Sequence, residues 1–147
     1  MNIKFSIICP CFNSEDVIQN AIDSVITQSY FNYELILVDD GSEDKTASIL
    51  RENQNKNPKK VKVISQKNTG PYLARINGIL NSSGDYFLFL DSDDAFEINI
   101  LEFLSKKINQ FSKPDLLIFS YSEFFSDKII RRKIIKDQDE LFVNSRV

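Results

Sequence analysis

The chain has 147 residues, of which 42% are hydrophobic and 27% are charged, and its formal net charge is −3. This length and composition predict one soluble globular domain with a sizeable core, and the mild acidity argues against general nucleic-acid binding. No apolar run approaches the ~20 residues that a membrane span needs, and the N-terminus lacks the pattern of a signal peptide.

The first two elements are predicted by their apolar residues. Residues 3–9 are apolar and β-branched, which indicates a strand that stops at Pro10. Asn13 or Ser14 can cap the helix that follows. The hydrophobic residues of this helix recur at helical spacing and predict one buried stripe, formed by Val17, Ile18, Ala21, Ile22, Val25 and Ile26.

A second strand over residues 33–38 ends in a turn sequence, Asp39-Asp40-Gly41-Ser42. Gly41 permits a tight turn, and Ser42 or Asp44 can cap a helix over residues 45–55. The polar loop 53–60 then leads to a third strand over residues 61–65, and a third helix opens at residues 68–71. Proline is favourable near the first turn of this helix, because its missing N–H would have no helical partner there.

Residues 84–94 contain an apolar run that indicates a buried strand and ends in Asp91, Asp93 and Asp94. Asp91 and Asp93 are two residues apart, so in an extended chain their side chains point to the same side. Converging carboxylates at the end of a strand predict a divalent-metal or polyol site, and oxygen ligands suit Mg2+, Mn2+ or Ca2+. The alternative is a solvated acidic turn.

The remaining elements are predicted less completely. A helix is expected over residues 98–111, with Ile100, Leu101, Leu104 and Ile108 inward, and a strand over residues 115–120. Residues 128–136 fit either a strand or a short amphipathic helix. The last eleven residues support no assignment.

Strands that alternate with helices predict an α/β fold with a doubly wound, mainly parallel sheet flanked by helices. In such sheets ligands bind outside the carboxyl ends of the strands. Residues 10–13, 39–42 and 91–94 all follow predicted strands at these ends. Their coincidence predicts a binding site there.

Four blocks of this sequence carry a resemblance to a known family: SIICPCFN over residues 6–13, SVITQSY with ELILVDDGS over residues 24–42, Asn68-x-Gly70 with Ala74-Arg75 and Gly78, and Asp91-Ser92-Asp93. In order and spacing they resemble family 2 glycosyltransferases of the GT-A (Rossmann-like) fold. The resemblance implies transfer of a sugar, with inversion, from a nucleotide-diphospho-sugar, UDP-sugar above all. It implies a glycan or lipid-linked acceptor, surface polysaccharide synthesis, and Mn2+ or Mg2+ as cofactor.

The resemblance also implies roles for single residues. Asp91 and Asp93 would contact the ribose and the metal, with Asp94 as a further ligand and Ser92 beside them. Asp40, with Asp39, would accept hydrogen bonds from the base, Phe12 would stack on it, and Pro10 and Asn13 would complete this side of the nucleotide-sugar site. Arg75 would approach the diphosphate.

Each of these residues has a simpler alternative. Asp39 and Asp40 could only cap a turn and a helix, Phe12 could belong to the core, and Arg75 could form a surface ion pair. The basic residues 128–136 could be a solvated face, which is the favoured interpretation, or could contact an anionic bilayer as a peripheral membrane site.

Two departures from the family pattern limit the prediction. The expected A-R-N is Ala74-Arg75-Ile76, with asparagine one place later at Asn77. Inversion also needs a general base near the acceptor hydroxyl, and no such motif is recognisable. The candidates are Glu123, Asp127, Asp137, Asp139 and Glu140, and none is assigned. The chain is therefore predicted as a single nucleotide-sugar-binding domain, residues 1–147, truncated before the acceptor-binding region.

Two other functions compete with an active transferase. One is a nucleotide-sugar-binding fragment without turnover. The other is a phospho-acceptor signalling domain, which is disfavoured because it needs an acidic pair directly after the first strand. Cys9 and Cys11 are the only cysteines, and the chain has no histidine. Both cysteines are expected to be free, mostly buried thiols, which indicates a cytoplasmic protein. A location at the inner face of the membrane is the open alternative, and the oligomeric state is not predicted.

Overall fold

The computed structural model describes residues 2–111, 114–117, 121–125, 128–132 and 142–143. It divides into two compact units, residues 1–103 and 104–147. The first unit holds a parallel four-stranded sheet in the order β3-β2-β1-β4. Its strands are β1 (Phe5–Cys11), β2 (Tyr33–Asp39), β3 (Val61–Ser65) and β4 (Tyr86–Phe89). The predicted α/β fold with a mainly parallel sheet is confirmed.

Helices connect the strands as the alternating pattern predicted. They are α1 (Ile18–Ile26), α2 (Thr46–Lys56) and α3 (Pro71–Leu80), and α4 (Ile100–Gln110) crosses the boundary between the two units. Of the residues predicted to be inward in α4, Leu101, Leu104 and Ile108 are buried, whereas Ile100 is half-buried. In α1 the stripe is confirmed at Ile18, Ala21, Ile22 and Val25, and Ile26 is half-buried. Val17 is exposed, because the chain is still in a turn there.

The first strand was predicted to stop at Pro10, but β1 continues to Cys11. The carbonyl of Ile8 accepts a hydrogen bond from the amide of Leu90, 3.1 Å away. The backbone N–H and C=O groups of every second residue, counted from Ile8, therefore point towards β4. Pro10 is the next such residue, and β4 has already ended at this level. The missing N–H of proline therefore costs no ladder hydrogen bond, and the strand can pass through it.

The predicted cap of the first helix is also wrong. Val17 is the N-cap of α1 and makes no side-chain capping bond. The carbonyl of Ser14 instead accepts hydrogen bonds from the amides of Val17 and Ile18, which forms a turn ahead of the helix. For α2 the prediction holds in substance, because the Asp44 carboxylate accepts a bond of 2.8 Å from the amide of Thr46, the first helical residue.

The strand β4 is less buried than its apolar sequence indicated. Phe87 and Phe89 are about half exposed, because β4 stands at one end of the described sheet. In contrast, β1 and β2 are buried along almost their whole length. The apolar run alone could not distinguish a central strand from an outer one.

Helix α3 packs closely on the sheet, and this contact fixes the position of Arg75. A side chain at Gly78 would collide with the Cγ2 methyl group of Ile8, so only glycine allows this approach. Ala74, one turn earlier, packs with Ile36 and Val38 in a buried cluster. Arg75 follows Ala74 and is therefore held at a defined place beside the carboxyl ends of the strands.

In the second unit, β5 (Leu116–Leu117) pairs antiparallel with β8 (Phe142–Val143), and β6 (Tyr121–Phe125) pairs antiparallel with β7 (Lys128–Arg132). Of the strand predicted over residues 115–120, β5 is present, and 118–120 lie outside the described residues. For residues 128–136 the strand alternative is confirmed up to Arg132, and the rest lie outside the described residues. Among the described residues, no helix is long and apolar enough to cross a membrane. The single-domain organisation stays a prediction.

Candidate functional site

A cavity of about 480 Å³ lies at the carboxyl ends of β1, β2 and β4 in the first unit. Its walls are the end of β1 and the residue after it, the loop after β2, the loop between β3 and α3, the start of α3 and the turn after β4. The lining residues are Pro10, Cys11, Phe12, Asp40, Asn68, Gly70, Pro71, Arg75, Asp91, Ser92 and Asp93. This is the end of a parallel sheet at which ligands bind in α/β proteins.

Seven of the ten residues assigned to the site from sequence line this one cavity, and Asn13, Asp39 and Asp94 do not. Four lining residues were not assigned a role: Cys11, Asn68, Gly70 and Pro71. Asn68 and Gly70 stand in one of the blocks quoted above, so the pattern contained a signal for them. Cys11 also stands in a quoted block but was given no role, and Pro71 lies outside the blocks.

Asp40 is buried and held by four hydrogen bonds. Its Oδ1 accepts from the amide of Thr69 at 2.9 Å, from Nε2 of Gln66 at 2.8 Å and from the Thr69 hydroxyl at 3.4 Å. Its Oδ2 accepts from the amide of Gly70 at 2.8 Å. Burial alone would raise the pKa of Asp40, but these bonds outweigh it and lower the pKa. The carboxylate is therefore ionised at neutral pH and can only accept hydrogen bonds.

Asn77, the residue displaced from the expected position, supports this arrangement. Its Nδ2 donates to Oε1 of Gln66 at 2.7 Å, and Gln66 in turn donates to Asp40. The side chain of Asn77 thus fixes the orientation of the Gln66 amide. The departure from the family pattern has a structural use, which sequence reasoning missed because the partner lies on another element.

Phe12 is 47% exposed. The alternative that it belongs to the core is therefore wrong. Its ring is the large aromatic surface in the lining of the cavity, directly after β1. An exposed aromatic ring can hold a flat heterocycle by stacking, while the buried, ionised carboxylate accepts hydrogen bonds from the N–H groups of that heterocycle.

Arg75 and Asp91 form an ion pair across the cavity, between Nη2 of the guanidinium and Oδ1 of the carboxylate. Both side chains are partly exposed, at 30% and 51%. The ion-pair alternative raised for Arg75 is thus present in the structure. It coexists with a position in the cavity lining, where a guanidinium could also meet an anionic ligand.

The acidic residues after β4 form a turn, not a continuation of the strand. The amide of Asp94 donates to the carbonyl of Asp91 at 3.1 Å. Asp91 and Asp93 both line the cavity, although the extended geometry used to predict this is absent. Partial burial, followed by the charges of Asp93 and Asp91, raises the pKa of Asp94. Burial and the two neighbouring charges therefore disfavour the ionised form of Asp94.

Asn13 and Asp39 hold loops. Oδ1 of Asn13, a residue with a positive φ of 45°, accepts from the amide of Glu43 at 2.9 Å, and the amide of Asn13 donates to the Ser42 hydroxyl at 3.1 Å. Oδ1 of Asp39 accepts from the amide of Ser42 at 3.1 Å. We call the bonds that join residues 13–15 to residues 42–46 the loop clasp. It sets the spacing between the two loops that carry Phe12 and Asp40.

The lining has a charge distribution that suits a divalent cation. Three carboxylates, those of Asp40, Asp91 and Asp93, face one guanidinium, that of Arg75. An anionic ligand would be repelled unless a cation accompanied it. Across the described part of the chain, no group of three or more His, Cys, Asp and Glu side chains could hold a metal ion. Asp91 and Asp93 do fit the pattern of Mg2+ sites, in which one or two carboxylates combine with ligand phosphates and waters.

Comparison with known proteins gives a consistent result. The glycosyl transferase family 2 model matches residues 6–138. The chain is 37% identical over 121 residues to the glycosyltransferase GlyA of Streptococcus pneumoniae, covering 82% of this chain and 17% of that protein. It is 44% identical over 103 residues to the minor teichoic acid biosynthesis protein GgaA of Bacillus subtilis, covering 67% and 23%.

A solved structure shares the fold. The structure of S. aureus TarS 1–349 in complex with UDP-GlcNAc superposes with a TM-score of 0.79 at 27% identity, covering 92% of this chain and 39% of that chain. The chain thus spans less than half the length of each of these three proteins.

Proposed function

The chain belongs to glycosyl transferase family 2, and on that premise we propose that it is the donor-binding part of an enzyme that transfers a sugar from a nucleoside diphosphate. One observation carries the proposal. A single cavity combines an exposed aromatic ring, a buried ionised carboxylate, a guanidinium and two further carboxylates at the carboxyl ends of parallel strands. The aromatic ring and the buried carboxylate suit the base of a nucleotide-activated sugar, and the guanidinium and the other two carboxylates suit its diphosphate and a cation.

The base-binding part is Phe12 with Asp40. A carboxylate that is held ionised accepts hydrogen bonds and cannot donate them, so Asp40 favours a base that presents an N–H group. The imide N–H of uracil fits, whereas N3 of cytosine is itself an acceptor. This chemistry supports UDP as the nucleotide. The UDP-GlcNAc bound to TarS also supports it.

The diphosphate-binding part is Arg75 with Asp91 and Asp93. Arg75 can donate to phosphate oxygens, because a guanidinium matches their geometry. Asp91 and Asp93 would hold Mn2+ or Mg2+, which neutralises charge on the leaving diphosphate when bound. Asp91 also forms the ion pair with Arg75, so it links the proposed cation site to the guanidinium. Ser92 stands between the two carboxylates in the same lining.

The acceptor half of the reaction is proposed from the family alone. We infer an inverting transfer to a glycan or lipid-linked acceptor in surface polysaccharide synthesis, and the name of GgaA, a minor teichoic acid biosynthesis protein, supports this class. Inversion needs a general base, which we do not assign. Transfer by this chain alone is therefore expected to be weak. The free thiols of Cys9 and Cys11 fit a reducing, cytoplasmic location, and residues 128–136 are the candidate contact with a membrane face.

Calorimetry with UDP, CDP and uridine, each with and without Mn2+, tests the donor site. We expect UDP with Mn2+ to bind best, and CDP to bind about tenfold more weakly because N3 of its base accepts hydrogen bonds and cannot donate one to the Asp40 carboxylate. Phe12→Ala should lower the affinity for UDP by roughly 1–3 kcal/mol through lost stacking. Phe31→Ala is the matched control, since Phe31 is 81% exposed and is not in the cavity lining. No binding of UDP at millimolar concentration would overturn the proposal.

A further inference from the structure

The block 24–30, all of whose residues the structure describes, is part of the resemblance but lies outside the cavity lining. Ser24 stands in the last turn of α1, and Gln28 stands two residues beyond the end of the helix. Gln28 has a polar side chain, yet it is only 6% exposed. A buried side-chain amide needs hydrogen-bond partners, and the partners of Gln28 indicate what it does.

Gln28 forms hydrogen bonds through both polar atoms of its side chain. Its Nε2 donates to the carbonyl of Ser24 at 2.9 Å and to the carbonyl of Glu97 at 2.9 Å. Its Oε1 accepts from the amide of Leu101 at 3.3 Å. Glutamate has nearly the same size but no N–H groups, so at this position it would keep the bond from Leu101 and lose the other two. The arrangement therefore requires an amide.

Ser24 binds the same segment of the chain. Its hydroxyl accepts from the amide of Phe96 at 3.0 Å and donates to the carbonyl of Ala21 at 2.7 Å. Ser24 and Gln28 thus make three hydrogen bonds to the segment 96–101, at Phe96, Glu97 and Leu101. We call these three bonds the turn anchor.

The turn anchor holds the chain just beyond the acidic turn that follows β4. Just before this turn, the amide of Leu90 donates to the carbonyl of Ile8 at 3.1 Å, which holds the chain to β1. Residues 91–95 are therefore a short connection between two fixed points, and they carry Asp91 and Asp93. Binding groups must be held within roughly 0.5 Å of their productive positions, so the two fixed points decide whether these carboxylates can share a cation.

We propose that Gln28, together with Ser24, is a positioning residue for the cation, because the turn anchor sets the place of the Asp91 and Asp93 carboxylates. This inference rests on the proposed donor function, which supplies the cation. Neither Gln28 nor Ser24 lines the cavity, so both act through the turn. Replacement of residues that orient metal ligands typically weakens metal binding by ~10–100-fold. An anchor that only stabilised the fold would not affect the cation in this way.

Two measurements on Gln28→Ala test the proposal. Amide hydrogen exchange of the ligand-free chain reports on the turn itself, and exchange at Asp94 and Phe96 should accelerate about tenfold or more because the segment is released. A Mn2+ titration in the presence of UDP, followed by electron paramagnetic resonance, should show roughly tenfold weaker Mn2+ binding. The affinity for uridine should stay the same, since uridine binding needs no cation.

Asn53→Ala is the matched control. Asn53 is also a buried amide, 4% exposed, and its Nδ2 donates to the carbonyl of Ile49 at 2.9 Å and to Oε1 of Gln19 at 3.0 Å. These bonds lie within α2 and between α2 and α1, so their loss should lower the stability of the chain and leave Mn2+ binding and exchange at Asp94 unchanged.

Ser24 offers a milder pair of variants. Ser24→Thr keeps the hydroxyl that accepts from Phe96 and should retain the affinity for Mn2+, whereas Ser24→Ala removes this hydroxyl and should weaken Mn2+ binding.

The outcomes separate this inference from the donor proposal. Equal losses of Mn2+ affinity in Gln28→Ala and Asn53→Ala would overturn the positioning role, because general destabilisation would then explain both. Unchanged exchange at Asp94 in Gln28→Ala would overturn it without any ligand. If the wild-type chain bound no Mn2+ in the presence of UDP, the donor proposal would fail and the positioning role with it, and exchange alone would then decide whether the anchor holds the turn.

Discussion

The guanidinium of Arg75, on α3, is paired with the carboxylate of Asp91, two residues beyond β4. The pair joins the two elements that border the proposed diphosphate-binding part of the cavity. Because both side chains are partly exposed, such a pair contributes only about 0–1 kcal/mol to the free energy of unfolding. Its importance is therefore positional, since it directs Arg75 towards the cavity and leaves the remaining donors of the guanidinium free for a ligand.

The first prediction concerns Arg75→Ala. We expect the free energy of unfolding to fall by less than about 1 kcal/mol, because the ion pair is exposed. UDP affinity should fall about tenfold or more, because a charge-assisted bond to phosphate is lost, while the weaker binding of uridine should stay the same. Calorimetry and urea unfolding measure the two effects. Lys56→Ala is the control, because the Glu52–Lys56 ion pair lies on α2, away from the cavity. Equal losses for UDP and uridine would contradict a diphosphate contact.

The second prediction concerns Asp40→Asn. Asparagine cannot accept at both of its polar atoms, so at least one donor among Thr69, Gln66 and Gly70 is left without a partner. We expect the free energy of unfolding at pH 7 to fall by about 1–3 kcal/mol.

The same substitution should change the dependence of stability on pH. Since the pKa of Asp40 is lowered from 3.8 in the folded chain, its contribution is fully present above this value. It is lost as the pH falls through the lowered folded pKa. In urea unfolding, the difference between wild type and Asp40→Asn should thus be constant well above pH 3.8 and should narrow as the pH falls below this value. Asp16→Asn, at an exposed position of the turn before α1, serves as control. A difference that is independent of pH would contradict the ionised, hydrogen-bonded state of Asp40.

The sequence predicted the fold well because its main signal is local. Apolar runs that alternate with amphipathic stretches identify parallel strands and helices without any knowledge of long-range contacts. The same signal predicted the position of the cavity, since acidic and aromatic residues directly after parallel strands meet at one edge of the sheet. The prediction was weaker where burial depends on residues that are distant in sequence. The exposure of Phe87 and Phe89 depends on the position of β4 in the sheet, and the apolar run does not reveal that position.

The roles of single side chains were harder to predict, because they depend on partners distant in sequence. Asn13 was assigned to the nucleotide, but its side chain bonds the amide of Glu43, thirty residues away. Asn77 was treated only as a departure from a pattern, although it orients Gln66. In both cases the residue type is polar and the position is near the site. Only the geometry distinguishes a ligand contact from a contact that supports the walls.

The third prediction tests the loop clasp through Asn13. Asn13→Ala removes the oxygen that accepts the hydrogen bond from the amide of Glu43. It also places alanine at a positive φ, where asparagine is better tolerated because its side chain can form local hydrogen bonds. We therefore expect the free energy of unfolding to fall by about 1–2 kcal/mol. Asn13→Gly should cost less, because glycine tolerates this φ. Asn13→Asp should be nearly neutral, because the accepting oxygen is retained. Urea unfolding of the three variants gives the order. Unchanged stability of Asn13→Ala together with weakened UDP binding would instead favour a direct nucleotide contact.

The fourth prediction separates the two adjacent carboxylates Asp93 and Asp94. Asp93 lines the cavity and Asp94 does not, and the pKa of Asp94 is raised by partial burial and by the charges of Asp93 and Asp91. We therefore expect Asp93→Asn to abolish the enhancement of UDP binding by Mn2+, because it removes a proposed cation ligand. Asp94→Asn should retain this enhancement and should slightly stabilise the chain at neutral pH, since it relieves repulsion within the turn.

Calorimetry of UDP binding with and without Mn2+, together with urea unfolding at pH 7, checks both parts of this fourth prediction. Lowering the pH gives a second test, because protonation of Asp94 acts like the Asp94→Asn substitution and Asp94, with its raised pKa, takes up its proton at a higher pH than an ordinary carboxyl. The stability difference between wild type and Asp94→Asn should therefore shrink as the pH falls. If Asp94→Asn removed the Mn2+ effect and Asp93→Asn did not, Asp94 would be the cation ligand, and the turn after β4 would have to rearrange when the nucleotide binds.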